Sequence, residues 1–150
     1  MRTFITLSLI AVASLVSAAP LNKCGDWSVA PLTHATGNKS TFAANDKVTL
    51  KWNVGSSRVK YIREISISSS KSNRSLHTQY RRYPGEDATT GKLSFTLSVP
   101  LCLQREGEYY LEVVSSTPGN DGDCIAKTPD FKLTPDPNGN YTFCPTTGTL

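Results

Sequence analysis

Tyr80-Arg81-Arg82-Tyr83 places two phenol rings and two guanidinium groups side by side in the chain. Aromatic faces can stack on sugar rings, and guanidinium forks bind acidic groups, so these four residues are the candidate binding site. The competing assignment puts Tyr80 in the core and leaves the other three as ordinary surface. Around them the charge is uneven. Residues 58–82 hold Arg58, Lys60, Arg63, Lys71, Arg74, Arg81 and Arg82 against Glu64 alone, whereas residues 83–150 are predominantly acidic. A basic segment of this kind can be a footprint for phosphate, anionic lipid or acidic glycan; the plainer reading is a solvated strand pair.

Catalytic chemistry finds no support. The chain has no G-x-S-x-G elbow, no Gly-rich phosphate loop after a strand, and no histidines at metal or triad spacing. Glu86-Asp87 and Glu106/Glu108 are carboxylate pairs at turns, where solvation explains them. Asn120 to Asp123 lacks the ligand register and terminal Glu of a calcium loop. The expectation is therefore a non-enzyme without cofactor or metal, and with no nucleic acid as partner.

Four cysteines, Cys24, Cys102, Cys124 and Cys144, are the other reactive groups. Zinc would need more than His34 and His77 beside them, and there is no CxxC pair, so disulfides are expected. That requires an oxidising compartment, which the start of the chain supplies. Met1-Arg2 is followed by an apolar run, Phe4 to Val16, and by Val16-Ser17-Ala18, the small-residue pattern that signal peptidase accepts. Residues 1–18 are expected to be removed, with Ala19 as the alternative cut. The run is shorter than the roughly 20 residues needed to span a bilayer. The C-terminal residues lack a lipid-anchor signal. The expected product is secreted and extracellular, with no stable membrane anchor. Asn38, Asn73 and Asn140 begin glycosylation sequons.

The elements that must position these groups read as strands. Val48, Leu50 and Trp52 alternate with polar residues, as do Leu93 to Val99 and Tyr109 to Val113, the period-2 pattern of a half-buried strand. In Val59 to Ser68, Tyr61 is in phase with Ile65 and Ile67 but Ile62 is not, which predicts a bulge near Arg63. Leu76 to Tyr80 reads as a short polar edge strand. Trp27 to Leu32 and Ile125 to Leu133 complete a set of about seven, the last interrupted at Pro129. Turn signals fall between them, among them Gly55-Ser56, Pro84-Gly85 and Pro118-Gly119. An all-β, immunoglobulin-like antiparallel sandwich over residues 19–134 is expected, followed by a Pro/Gly-rich tail, 135–150.

Val48-Thr49-Leu50-Lys51-Trp52-Asn53, Ser98-Val99-Pro100, Gly107-Glu108-Tyr109-Tyr110-Leu111 and Thr128 to Leu133, in that order, resemble the fungal KRE/KNH-type domain. This is the immunoglobulin-like N-terminal module of yeast cell-wall synthesis proteins and of Ser/Thr-rich wall proteins. The resemblance covers roughly residues 30 to 134 and implies a non-catalytic module associated with wall glucan assembly. Its partner would be cell-wall polysaccharide or another extracellular protein. The chain lacks that family's long Ser/Thr-rich tail. Cys24-Gly25, Val99-Pro100, Gly107-Glu108-Tyr109 and Asp123-Cys124-Ile125 also look like the ML lipid-recognition family, which implies a lipid ligand, though the mid-chain Cys-Pro-Leu segment is missing. A small secreted effector binding a partner protein is the third alternative.

In such a sandwich Cys24 precedes the first strand and Cys124 begins the last, so their starts are neighbours. Cys102 precedes the penultimate strand and Cys144 follows the last. Cys102 and Cys124 would be about 26 Å apart along a strand, beyond disulfide reach. The expected bonds are Cys24–Cys124 and Cys102–Cys144, the second stapling the tail to the domain.

Overall fold

The computed structural model describes residues 22–37, 41–105, 107–119, 122–139 and 141. The expected signal peptide lies outside the described residues, as do Asn38, Glu106, Asn140 and Cys144. Nine strand segments form: β1 (Ser28–Val29), β2 (Thr33–His34), β3 (Lys47–Asn53), β4 (Tyr61–Ser69), β5 (Arg74–Asp87), β6 (Lys92–Thr96), β7 (Glu108–Ser116), β8 (Asp123–Lys127) and β9 (Phe131–Lys132). Two 3-10 turns, Ala88–Thr90 and Leu101–Leu103, are the helical segments among the described residues. None of the described helices is long and apolar enough to cross a membrane.

The strands make two antiparallel sheets. In the first, β3 is central: β1 and β2 pair with one edge of it and β6 with the other. The second runs β5-β4-β7-β8, with β9 also paired to β7. Nine segments form where about seven strands were expected. Pro31 separates β1 from β2, and Pro129 separates β8 from β9; proline has no N–H to give the ladder.

Alternation explains which faces meet. Val48, Leu50 and Trp52 of β3 are buried while Lys47, Lys51 and Asn53 are exposed. They join Ile62, Ile65 and Ile67 of β4 and Tyr109, Leu111 and Val113 of β7 in one core cluster between the sheets. Each aliphatic side chain so buried contributes about 1.5–3 kcal/mol. The Trp52 indole N–H, out of water, donates to the Ala88 carbonyl at 2.8 Å.

The expected bulge is present. The pairing of β4 with both β5 and β7 skips a residue between Ile62 and Glu64. Arg63 is the extra residue, and inserting it keeps Ile62 in the core with Ile65 and Ile67 while Tyr61 turns to the outer face.

Cys24 and Cys124 are bonded, with Cα atoms 5.6 Å apart, and tie the segment before β1 to β8 across the two sheets. Closing a loop of this length stabilises the fold by about 4–5 kcal/mol in the chain-entropy model. Cys102 is also disulfide-bonded. The expected partner, Cys144, lies outside the described residues.

One turn assignment is corrected. Pro84-Gly85 does not end the strand that begins near Leu76; both residues lie inside β5, which continues to Asp87. The chain turns instead at Ala88–Thr90. There the Asp87 carboxylate accepts hydrogen bonds from the Thr89 N–H and hydroxyl at 2.9 and 2.8 Å, and Gly91 takes a positive φ of 69°.

Candidate functional site

The site is built where β4 and β5 fall out of step. Ile62 pairs with Glu86 and Glu64 with Arg81, so Arg82, Tyr83, Pro84 and Gly85 all stand opposite the single residue Arg63. Four residues against one force β5 away from the sheet. Tyr83 is left 90% exposed, next to a cis Tyr83–Pro84 peptide. Gly85 brings the chain back at a φ of 122°, and a Cβ there would lie 2.3 Å from the Ile62 carbonyl oxygen. Only glycine fits that return.

Between this bulge and the β7–β8 turn lies a groove of about 390 Å³, lined by Lys60, Tyr61, Arg63, Tyr83, Pro84 and the run Ser116 to Gly119. That volume suits a small ligand or part of a polymer. Two tyrosines and two prolines supply apolar faces, and Lys60 and Arg63 supply charge. The Lys60 ammonium is 5.4 Å from the centre of the Tyr61 ring. The Arg63 guanidinium is held by Asp123 at 2.8 Å through one of its nitrogens. Backbone hydrogen bonds just outside the strands fix the walls: the Lys60 N–H donates to the Ser116 carbonyl, and the Lys60 carbonyl accepts from the Ala88 N–H, both at 2.9 Å.

The four residues singled out from the sequence do not form one site. Tyr80 opposes Ile65 and packs partly buried against the core, its hydroxyl without a hydrogen-bond partner. Arg81 lies on the outer sheet face, bound to Glu64 through two hydrogen bonds of 2.9 Å. That pairing raises the Arg81 guanidinium above its ordinary pKa, by hydrogen bonding first and by charge second. Arg82 is exposed, and its side chain has no hydrogen bond or ion pair among the described residues. Tyr83 alone lines the groove. Tyr61, Lys60 and Arg63 join it there and were not singled out. The signal was present in the phase break at Ile62, since a bulge that keeps Ile62 inside must turn Tyr61 outward.

Other candidates are dispersed. His34 lies stacked on Phe42 at 4.4 Å and hydrogen-bonds the Thr41 carbonyl, while His77 faces the Ser98 hydroxyl at 3.2 Å on a different sheet. Among the described residues no group of three His, Cys, Asp or Glu side chains is placed to hold a metal. Asp87 serves its turn, and hydrogen bonds from Thr89 hold its carboxyl below the ordinary range. Asn73 is exposed at the β4–β5 turn with a φ of 51°, at the far end of β4 from the groove.

A second hollow, about 590 Å³, lies at the other end of β7. Ala43, Ala44, Val99, Pro100, Leu101, Pro135 and Pro137 give it mostly aliphatic walls. Its Gln104 carboxamide is engaged within the protein, donating to the Val99 carbonyl at 2.9 Å and accepting from the Asp136 N–H at 3.1 Å.

No protein-family model matches the chain, and no curated protein matches it.

Proposed function

We propose that this is a secreted, non-catalytic, immunoglobulin-like module that associates with the cell wall by binding glycan in the groove beside the β5 bulge. The observation that carries the reading is the placement of Tyr83. A phenol ring held almost wholly in solvent by a glycine-dependent bulge gains nothing for folding. Sharing a lining with Tyr61 and Lys60, it helps offer what a sugar needs: a π face for the pyranose C–H bonds and, from Lys60, donors for its hydroxyls.

Two features support the immunoglobulin-like assignment. Counting β1 with β2, and β8 with β9, as single interrupted strands gives seven, in two sheets. In addition, the buried Tyr109 hydroxyl donates to the Leu103 carbonyl at 2.6 Å, six residues upstream, as a tyrosine corner does in such sandwiches. The resemblance to the KRE/KNH-type domain agrees with this arrangement and points to wall glucan. We further propose that Asn73 carries an N-glycan, since a sugar chain there would stand a full strand length from the groove and leave it open.

Incubation of the mature protein with insoluble β-glucan, chitin and whole fungal walls tests the reading. Retention in the pellet, lost in Tyr83→Ala, is expected. Recovery only in the supernatant overturns it.

A further inference from the structure

The groove has a charge as well as a shape, and resting on the glycan reading above, we propose that it takes an acidic sugar: a pyranose bearing a phosphate or a carboxylate. Among the described residues both charged side chains in the lining, Lys60 and Arg63, are cations, and no carboxylate lines the groove. Arg82 stands next to Tyr83 on the same bulge as a third cation, exposed and without an acidic partner among the described residues.

The neighbouring acids do not cancel these charges one for one. Glu64 is taken by both arms of Arg81. Asp87 is turned to Thr89, with Lys60 contributing only the smallest of the effects on its carboxyl. Asp123 meets Arg63 through one nitrogen, and a guanidinium has five N–H donors, so Arg63 keeps donors for a second anion. Glu86, half-buried on β5 opposite Ile62, is the remaining acid of this stretch and lies outside the lining.

The geometry fits a bound sugar acid better than a free anion. A free anion needs only the cations, whereas the rings of Tyr61 and Tyr83 in the same groove give an attached pyranose its own contact. Anionic lipid headgroups share the charge but not the stacked ring. The bulge therefore selects for both features in one molecule.

The experiment is calorimetric titration of the mature protein with three oligosaccharides of equal length: a neutral β-glucan, a polyuronate, and a mannan bearing phosphodiesters. Each is measured at low salt and again at about 0.5 M, where the screening length is only a few ångströms. Roughly tenfold tighter binding of an acidic sugar is expected, one or two charge-assisted hydrogen bonds' worth, with the advantage shrinking at high salt. Arg82→Gln, at an exposed position outside the groove lining, should remove part of that advantage and leave neutral binding and melting temperature unchanged, whereas Lys60→Gln should weaken all three sugars and the acidic ones most. Preference for the phosphodiester or for the uronate identifies the source of the anion. Equal affinity for neutral and acidic sugars, without salt dependence, overturns this proposal and leaves the glycan reading standing. Absence of binding by all three, together with no retention on walls, overturns both.

Discussion

The two hollows sit at opposite ends of β7, roughly 27 Å apart at strand rise, and they treat their polar groups in opposite ways. At the far hollow Gln104 is 4% exposed and both ends of its carboxamide are bonded to backbone, one to Val99 and one to Asp136. It joins the start of the tail to the stretch following β6. The hollow's most buried polar side chain therefore has neither end of its carboxamide left over for a ligand. At the bulge, the Tyr83 and Arg82 side chains make no hydrogen bond among the described residues, and Arg63 uses one nitrogen of its guanidinium. A larger volume is thus the weaker candidate. What separates a binding groove from a seam between packed segments is whether its polar atoms are already satisfied.

Glycine substitution should separate the two ends most sharply. Gly85→Ala puts a methyl group 2.3 Å from the Ile62 carbonyl at a backbone angle that L-residues rarely adopt. A loss of roughly 3 kcal/mol is expected, read as a fall in the urea midpoint with the slope unchanged. Gly139→Ala, near the far hollow, meets a Leu101 methyl at 2.8 Å and the Tyr141 ring end at 3.1 Å, with no backbone atom among these nearest contacts. It should cost less than about 0.5 kcal/mol. Comparable losses in the two variants would mean that the bulge is not held by its glycine.

Gln104→Ala should come next, at about 2 kcal/mol, because the Val99 carbonyl and Asp136 N–H both lose their partner. Thermal unfolding reads it, and glycan affinity should not change. Tyr83→Ala should do the reverse. Removing a ring exposed to this degree leaves stability within about 0.5 kcal/mol. The affinity for a bound oligosaccharide should fall by about tenfold, or about 1.4 kcal/mol. A Gln104 variant that loses glycan and a Tyr83 variant that keeps it would exchange the roles of the two hollows.

The smallest effect expected is on pH dependence. Hydrogen bonds from Thr89 lower the Asp87 carboxyl below its ordinary value of 3.8. The stability it contributes is complete above that value and disappears as pH falls through the lowered native one. Asp87→Asn should therefore flatten the acid limb of the stability curve below about pH 4 and leave the neutral region's slope unaltered. Urea midpoints across that range measure it, and an unchanged acid limb would show that Asp87 is not held by its turn.

Much of this was readable from local pattern, because the rules involved span only a few residues. Val48, Leu50 and Trp52 announce β3 by alternation. The phase break at Ile62 announces the Arg63 bulge. Cys24 and Cys124 were paired by asking which strand starts can be neighbours, and they are bonded. Proline marked the interruption at Pro129; the same effect at Pro31 went unread, although the missing N–H is the same.

The groove was another matter. Tyr80-Arg81-Arg82-Tyr83 looked like one cluster because the four are adjacent in the chain. Adjacency carries no information about which face a side chain takes once a bulge intervenes, and the length of the excursion in β5 is set by the hydrogen-bond register to β4. Tyr80 went to the core, Arg81 to Glu64, and only Tyr83 to the groove, where it met Tyr61, Lys60 and Pro118 from segments 22 or more positions away. By itself the chain determined that it forms strands, where they bend and which cysteines Cys24 and Cys124 meet, since these follow from side-chain periodicity and backbone chemistry. Which rings and charges share a surface was decided by the tertiary structure, because register and sheet neighbours depend on the whole fold's hydrogen bonding and core burial.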